Sequence, residues 1–570
     1  MATLLSPGVA WSEVDLTTIV PSLSTTVGGF AGNFVWGPVN ELTRVSNEIE
    51  LVNRFGQPDQ NTFTSFYTAA NFLSYTQNLL VVRAADLTKA NNATSGTLPI
   101  IIQNENQYEL DYMDLSAAAN TGMFAARYPG NLGNGLKVSV WASANSTAFS
   151  TWEYAPNFNG VPGTSTWTSQ RNGSNDEMHI VVVDTLGHFG PTPNTIIERF
   201  SYVSKASDAT NDDGTSNYYV NVINERSKYF YILHHALMAN NTADTTTWGL
   251  LASNTAFAQG NTNYTGTLAG GADGTPTDGD LTNAYDYFGN SEQADVSLLL
   301  TGPASQTVSE YIIDNIAETR KDLVTFISPP YSAVVNNMGY ETSDILTFRN
   351  LFNSSSYAVL DSGWKKQFDK YNNVYRWVPL NADIGGLCAR TDYTNAAWWS
   401  PAGLNRGLVK NVTQLSWTPN QADRDTLYKN SINPVVAMSG VGTVLYGDKT
   451  MTAKPSAFDR INVRRLFIVL EQSISRAAKY SLFEFNDEFT RAQFVALVDP
   501  FLRNIKGQRG IFDYHVVCDT TNNTPEVIDR NEFVGDIYIK PARAINFIQL
   551  NFVAVGTGVA FSEVVGKTGV

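Results

Sequence analysis

The sequence predicts an α+β protein of several domains, with mixed helix-and-strand cores toward both ends and mostly β domains inserted between them. Three observations lead there. The net charge of −15 sits in one stretch: residues 90–340 hold 9 Lys+Arg against 24 Asp+Glu, while residues 456–570 hold 13 of each. That acidic stretch is dominated by Asn, Thr, Ser, Gly and Asp, with short apolar runs between long polar ones. Residues 456–507 carry the longest helical periodicity, and a series of strands follows. An acidic middle between neutral ends reads as a solvent-facing part and a packed part. At 570 residues and 43% hydrophobic content, the chain has material for about three or four cores.

Taken in order, residues 1–23 read as an arm. Ser6-Pro7-Gly8 marks a turn, and residues 9–19 form an extended run in which Val9, Trp11, Val14, Leu16 and Ile19 alternate loosely with polar residues. A free terminal strand needs a sheet edge to pair with. The opening residues lack a basic region and a long apolar run, so no signal peptide is expected. Residues 24–89 read as a compact α/β piece: a small, apolar run at 27–34, helices at 47–55 and 62–76, and a strand at 79–84. Residues 90–340 hold short strands at 98–102, 136–142, 179–184, 218–223 and 296–300, which suggests two outer domains, about 90–190 and 191–340. Residues 341–455 return to mixed structure, with helices at 343–352 and 382–392 and strands at 357–360 and 373–379. Because 24–89 and 341–455 flank the acidic part, they are expected to close into one domain around it.

The last domain, 456–570, opens with Ser456 and Asp459 in a capping-box pattern. Val463, Phe467, Leu470, Ile474 and Ala478 then recur on one helical face as far as about residue 480. A second helix is expected from 486 to just before 507, with Pro500 inside it. Arg460, Arg464, Arg465, Arg476 and Lys479 make the first helix basic, and Arg503, Lys506 and Arg509 crowd the end of the second. Dipole compensation is the plain reading of these bases; a docking surface for an acidic partner is the sharper one. Strands follow at 514–518, 533–540 and 545–555, then a bend at Gly556 and Gly558 and an extended tail at 559–564. Phe547, Leu550, Phe552, Val559 and Phe561 lie in these last segments, which are aggregation-prone if unpaired.

The patterns of catalysis and cofactor binding are poor matches. Gly566-Lys567-Thr568 resembles the end of a phosphate-binding loop, but Phe561 stands where its first glycine belongs. His234 and His235 are adjacent, so their side chains do not converge. The acidic loop 273–280 lacks EF-hand spacing. No metal or cofactor is expected. Cys388 and Cys518 fit a reducing compartment, no run of about 18 apolar residues indicates a membrane span, and the charge balance disfavours nucleic acid. The tryptophan-rich stretches 364–377 and 398–399 suit interdomain packing better than sugar stacking.

Several stretches together resemble the tail sheath proteins of contractile-tailed bacteriophages, most closely the T-even type. Leu4-Leu5-Ser6-Pro7-Gly8 with Glu13 is similar to the family's N-terminal arm. Gly32-Asn33-Phe34-Val35-Trp36-Gly37-Pro38 and Leu51-Val52-Asn53-Arg54-Phe55-Gly56 resemble its first core segment. Ala126-Arg127-Tyr128-Pro129-Gly130 and Leu268-Ala269-Gly270-Gly271-Ala272-Asp273-Gly274 follow in family order. So do Gly385-Gly386-Leu387-Cys388-Ala389-Arg390-Thr391-Asp392, Ser400-Pro401-Ala402-Gly403, Tyr446-Gly447-Asp448-Lys449-Thr450 and Val463-Arg464-Arg465-Leu466. The resemblance implies the multidomain sheath fold and a non-enzymatic subunit that polymerises with itself as stacked six-fold rings around a tail tube. It implies contacts with the tube protein and with baseplate and tail terminator proteins, and contraction that drives the tube through the host envelope. It implies strand exchange through residues 9–19 and 547–564, with a C-terminal domain facing the tube and variable domains outward. The basic residues above are then candidate tube or subunit contacts. A sheath from a related injector such as an R-type bacteriocin stays open. So do a virion-attached glycan-binding protein and a hydrolase using a carboxylate such as Asp273, although neither accounts for the strand-like termini.

Overall fold

The computed structural model describes residues 25–114, 121–190, 192–235, 247–260 and 263–546. The expected strand-exchange residues Val9, Trp11, Val14, Leu16, Phe547, Leu550, Phe552, Val559 and Phe561 lie outside these.

A seven-stranded sheet organises the centre. Its strands are β1 (Gly28–Asn33), β2 (Thr43–Val45), β3 (Leu79–Ala84), β4 (Leu298–Leu300), β5 (Val324–Ile327), β6 (Ala358–Asp361) and β7 (Ile432–Asn433). Their order is β7-β6-β5-β4-β1-β3-β2. All neighbours are parallel except β2 with β3. A parallel sheet is covered on both faces, so its strands are continuously apolar rather than alternating; Leu298, Leu299 and Leu300 are all fully buried. Helices α1 (Phe63–Leu73) and α2 (Asn381–Thr394) touch one another and the sheet. Glycine permits the close approach. A Cβ on Gly28 would lie 2.4 Å from the Phe72 ring, and one on Gly385 would lie 2.7 Å from Leu300.

The sheet corrects the expected domain limits. β4 and β5 fall inside the stretch 90–340, and the helix Asp278–Asp286 already packs on β1 and β3. The insertion is therefore contained between β3 and that helix. It is also not divided near residue 190. Glu177–Asp184 pairs with Thr195–Ser204 on one side and Leu136–Trp141 on the other, and Tyr264–Thr267 completes the same antiparallel sheet. The expected strand at 218–223 is instead the helix Tyr219–Arg226. Its β-branched residues mimic a strand, but the buried positions 219, 220, 222 and 223 follow helical spacing. The expected strand at 98–102 reduces to one bridge, Asn92 to Ile100. Thr195–Ser204 escapes sequence reading because Glu198 and Arg199 interrupt its apolar run.

The C-terminal part consists of α3 (Ile461–Ala478), α4 (Glu488–Gly507) and an antiparallel hairpin, β8 (Ile511–Val517) with β9 (Asp536–Pro541). α3 begins five residues later than expected. Lys449 and Arg460 pair as a bridge, and Ser456 Oγ accepts from the Phe458 amide, so the capping box does not form. α4 is capped by Asp487, whose carboxylate accepts from the Thr490 amide at 2.8 Å, and it runs through Pro500. Leu466, Leu470, Phe494, Val498, Leu502 and Ile511 form the core of this part.

Candidate assembly surface and interdomain junction

Near the start of α3 one arginine, Arg465, points inward. Arg465 is buried and makes a two-armed ion pair with Asp392 near the end of α2; one arm measures 2.6 Å. It also donates to the Cys388 carbonyl at 3.3 Å and the Thr25 carbonyl at 3.2 Å. Thr25 donates its hydroxyl to Asp392. One guanidinium thus holds together the start of the described chain, α2 and α3. Burial raises the Asp392 pKa, and Arg465 and Thr25 offset part of that rise. A second buried pair lies at the other end of α2. Lys365 Nζ donates to Asp383 at 2.9 Å, and Tyr75 donates to the same oxygen at 2.9 Å. The Tyr75 hydroxyl accepts from the Lys410 amide, so the ring is held in place. Close by, burial pushes the Asp361 carboxyl up to about 8, against hydrogen bonds from Ser328 and Gly363.

The family-like motifs of the insertion also meet. The Asn131 amide and side chain donate to Asp273 at 2.8 and 2.6 Å, and Asn134 exchanges two hydrogen bonds with Gly271. Buried Arg83, at the end of β3, donates to the carbonyls of Gly37 and Pro129, both at 2.8 Å. Residues 127–134 and 271–273 therefore form the root by which the insertion joins the sheet. Asp273 is a structural acceptor there. Trp364 is buried and donates to the Pro329 carbonyl, a packing role.

The hairpin β8–β9 has only two strands, and among the described residues neither outer edge is paired. A two-stranded hairpin is marginal on its own. One face rests on α4; the other exposes Phe512 and Tyr538. Between α3 and the hairpin runs a cleft of about 420 Å³ lined by apolar residues that include Phe467, Ile474, Phe494, Phe533 and Ile537. A sheet edge left unpaired is a place where a further strand can add.

The seven basic candidates divide. Arg464 is buried, pairs with Glu471 at 3.4 Å and lies 4.4 Å from the rings of Tyr357 and Phe458. Arg460 is part-buried and bonded to Asp448 at 2.9 Å and to Tyr428. Its guanidinium also meets the Asn546 side-chain oxygen at 2.7 Å when that amide is turned to satisfy both groups. These two residues serve the fold of their own subunit. Arg476, half-exposed, reaches Asp295 at 3.4 Å. Lys479, Arg503, Lys506 and Arg509 are exposed. Arg503 pairs with Asp499 one turn away, Lys506 meets Asp513 at 2.9 Å, and Arg509 lies over Trp399. Sequence reading counted Arg465 among the bases of this helix but not its pairing with Asp392; both lie within quoted motifs, and nothing in either motif says that they meet. Among the described residues no helix is long and apolar enough to cross a membrane.

Family models match this division of the chain. Residues 25–84 match the tail sheath protein Gp18 domain III N-terminal region, and residues 274–451 the phage tail sheath protein central domain. Together these hold all seven strands of the central sheet. Residues 453–554 match the phage tail sheath C-terminal domain. The tail sheath protein of Enterobacteria phage T4 is 34% identical, with the whole of both chains covered. The chain belongs to the phage tail sheath proteins. The tail sheath protein of Vibrio phage KVP40 is 35% identical over 99% of this chain and 100% of that one, and that of Salmonella phage ViI is 31% identical over 99% and 98%. The sheath tail protein of Listeria innocua superposes with a TM-score of 0.49 at 11% identity, over 90% of this chain and 95% of that one. The chain is a structural subunit of a contractile tail sheath and a component of the virion tail.

Proposed function

We propose that the subunit polymerises with itself as stacked six-fold rings around a tail tube, and that neighbours are tied by strand exchange on the β8–β9 hairpin. Residues 9–19 of one copy and 547–564 of another add to its two open edges, and apolar side chains from these segments, Phe547, Leu550 and Phe552 among them, fill the cleft against α3. The observation that carries this reading is the two-stranded sheet with both edges free beside an apolar cleft. Main-chain pairing suits a tether, because it tolerates side-chain variation and leaves subunits free to turn as rigid bodies. Energy for contraction is then the difference between two packings of the same subunits, and the subunit acts without catalysis. Arg476, Lys479, Arg503, Lys506 and Arg509 remain the contacts to the tube or a neighbour; baseplate and terminator proteins bound the polymer. Contraction drives the tube through the host envelope.

Negative-stain electron microscopy of the concentrated full-length protein, alone and with tube protein, tests this. Hollow striated tubes are expected from the intact chain. Chains lacking residues 1–20 or 556–570 are expected to stay folded and dispersed; normal tubes from either would refute strand exchange.

A further inference from the structure

A polar cavity of about 300 Å³ opens beyond the end of α2, lined by Arg390, Thr391, Thr394, Asn395, Asn405 and Arg406. No carboxylate lines it. Arg390 is half-buried one turn before the end of α2, and its guanidinium has no hydrogen bond or ion pair among the described residues; neither has the Asn405 amide. Arg406 uses its Nε on the Ser400 carbonyl at 2.7 Å and lies 5.1 Å from the Trp399 ring, leaving its terminal nitrogens free. Arg509 lies 5.6 Å from the same ring. Burial and then the Arg390 charge push the Lys410 pKa down, with Asp383 opposing them. Asp392, the nearest carboxylate in sequence, is committed to Arg465. Placement near a helix C-terminus compensates one cation. It does not account for two part-buried guanidiniums that share a cavity with no carboxylate in its lining, beside the exposed Asn405 amide, in a chain whose overall charge is −15.

We propose that this pocket binds an oxyanion between Arg390 and Arg406, with the Asn405 amide as a further donor. Planar guanidinium forks match the paired oxygens of phosphate and carboxylate alike. The oxyanion is either free inorganic phosphate or the carboxylate of an acidic side chain from a second copy; the latter source rests on the self-assembly reading above.

Isothermal titration of the full-length protein with sodium phosphate, against sodium chloride at matched ionic strength, tests the pocket without any polymer. Saturable binding is expected, weakened at least about tenfold by Arg390→Gln, which removes no hydrogen bond of the fold, and less by Arg406→Lys, which keeps charge but not the fork. No saturable binding, or equal binding by Arg390→Gln, overturns the proposal. Sedimentation of polymer then separates the sources. Phosphate at saturating concentration suppresses polymer if the native ligand is a second copy's carboxylate, and leaves it unchanged if the ligand is inorganic. A chain that fails to polymerise refutes the self-assembly reading and leaves the titration readable.

Discussion

Replacing Arg465 with alanine isolates the energetics of the junction. The guanidinium is buried and bonded to both oxygens of Asp392 and to two carbonyls. Its removal strands a carboxylate that is 5% exposed, with only the Thr25 hydroxyl to stabilise its charge. Breaking one partner of such a pair costs about 3–5 kcal/mol, because the survivor stays buried and uncompensated. A chain of several domains does not unfold in one step, so a global midpoint is the wrong readout. Amide hydrogen exchange in α2 and α3 reports the local opening instead. A loss of about 3–5 kcal/mol accelerates exchange there by roughly 10²–10⁴-fold. The pair Arg465→Met with Asp392→Leu removes both charges at similar volume, and its exchange is expected within about tenfold of the natural chain. If single and double variants exchange equally fast, the loss is one of packing and the reasoning about an uncompensated charge is wrong. If Arg465→Ala exchanges like the natural chain, the junction is not held by this pair at all.

Three further perturbations follow from the central sheet and α4. Asp361 holds a proton in the folded state up to about pH 8 that the unfolded chain gives up near 4. Its contribution is therefore present at low pH and lost as pH rises through that window, with a slope of up to ~1.4 kcal/mol per pH unit; Asp361→Asn is expected to flatten it when amide exchange in β5 and β6, corrected for intrinsic rates, is compared at pH 5 and 8. A Cβ on Gly386 meets the Tyr75 ring at 2.4 Å, and that ring is pinned by Asp383 and Lys410. Gly386→Ala is expected to destabilise by about 1–3 kcal/mol despite the gain in helix propensity. At Gly507, the last residue of α4, nothing lies within 4 Å, so Gly507→Ala should stabilise by up to ~1 kcal/mol. Equal effects at the two glycines would show that propensity outweighs the contact.

The sequence made the local elements legible where one periodicity ruled. Residues 79–84 read as a buried strand and are β3, and the α3 face through Leu470 and Ile474 packs in the C-terminal core. It was misleading where β-branched residues sit in a helix, as at 219–223, or where a capping pattern competes with a tertiary bridge, as at Ser456 and Lys449–Arg460. Domain limits were harder: the run at 296–300 reads as a strand and is β4, but nothing in it says which sheet it joins, β5 was not read at all, and only pairing with β1 and β6 places them. Of the candidate site, the basic character was visible and its division was not. Whether Arg464 faces Tyr357 or solvent depends on a strand about a hundred residues away.

The distribution of satisfied and unsatisfied groups says where such a subunit can yield. Inside it, Arg465–Asp392 and Lys365–Asp383 are buried pairs whose rupture costs about 3–5 kcal/mol each. Any rearrangement that breaks them pays this in every copy of a polymer. The β8–β9 hairpin differs: its outer edges are unpaired among the described residues, and main-chain bonds added there would leave the interior untouched. If strand exchange ties neighbours as proposed, rigid-body movement about those tethers is the less costly route between two packings. Hydrogen exchange of free protein and of polymer decides it. Protection of α2 and α3 is expected to be the same in both, while amides of β8 and β9 slow markedly on assembly. Faster exchange in α2 and α3 of the polymer would mean that the junction itself opens, and that the subunit does not move as one body.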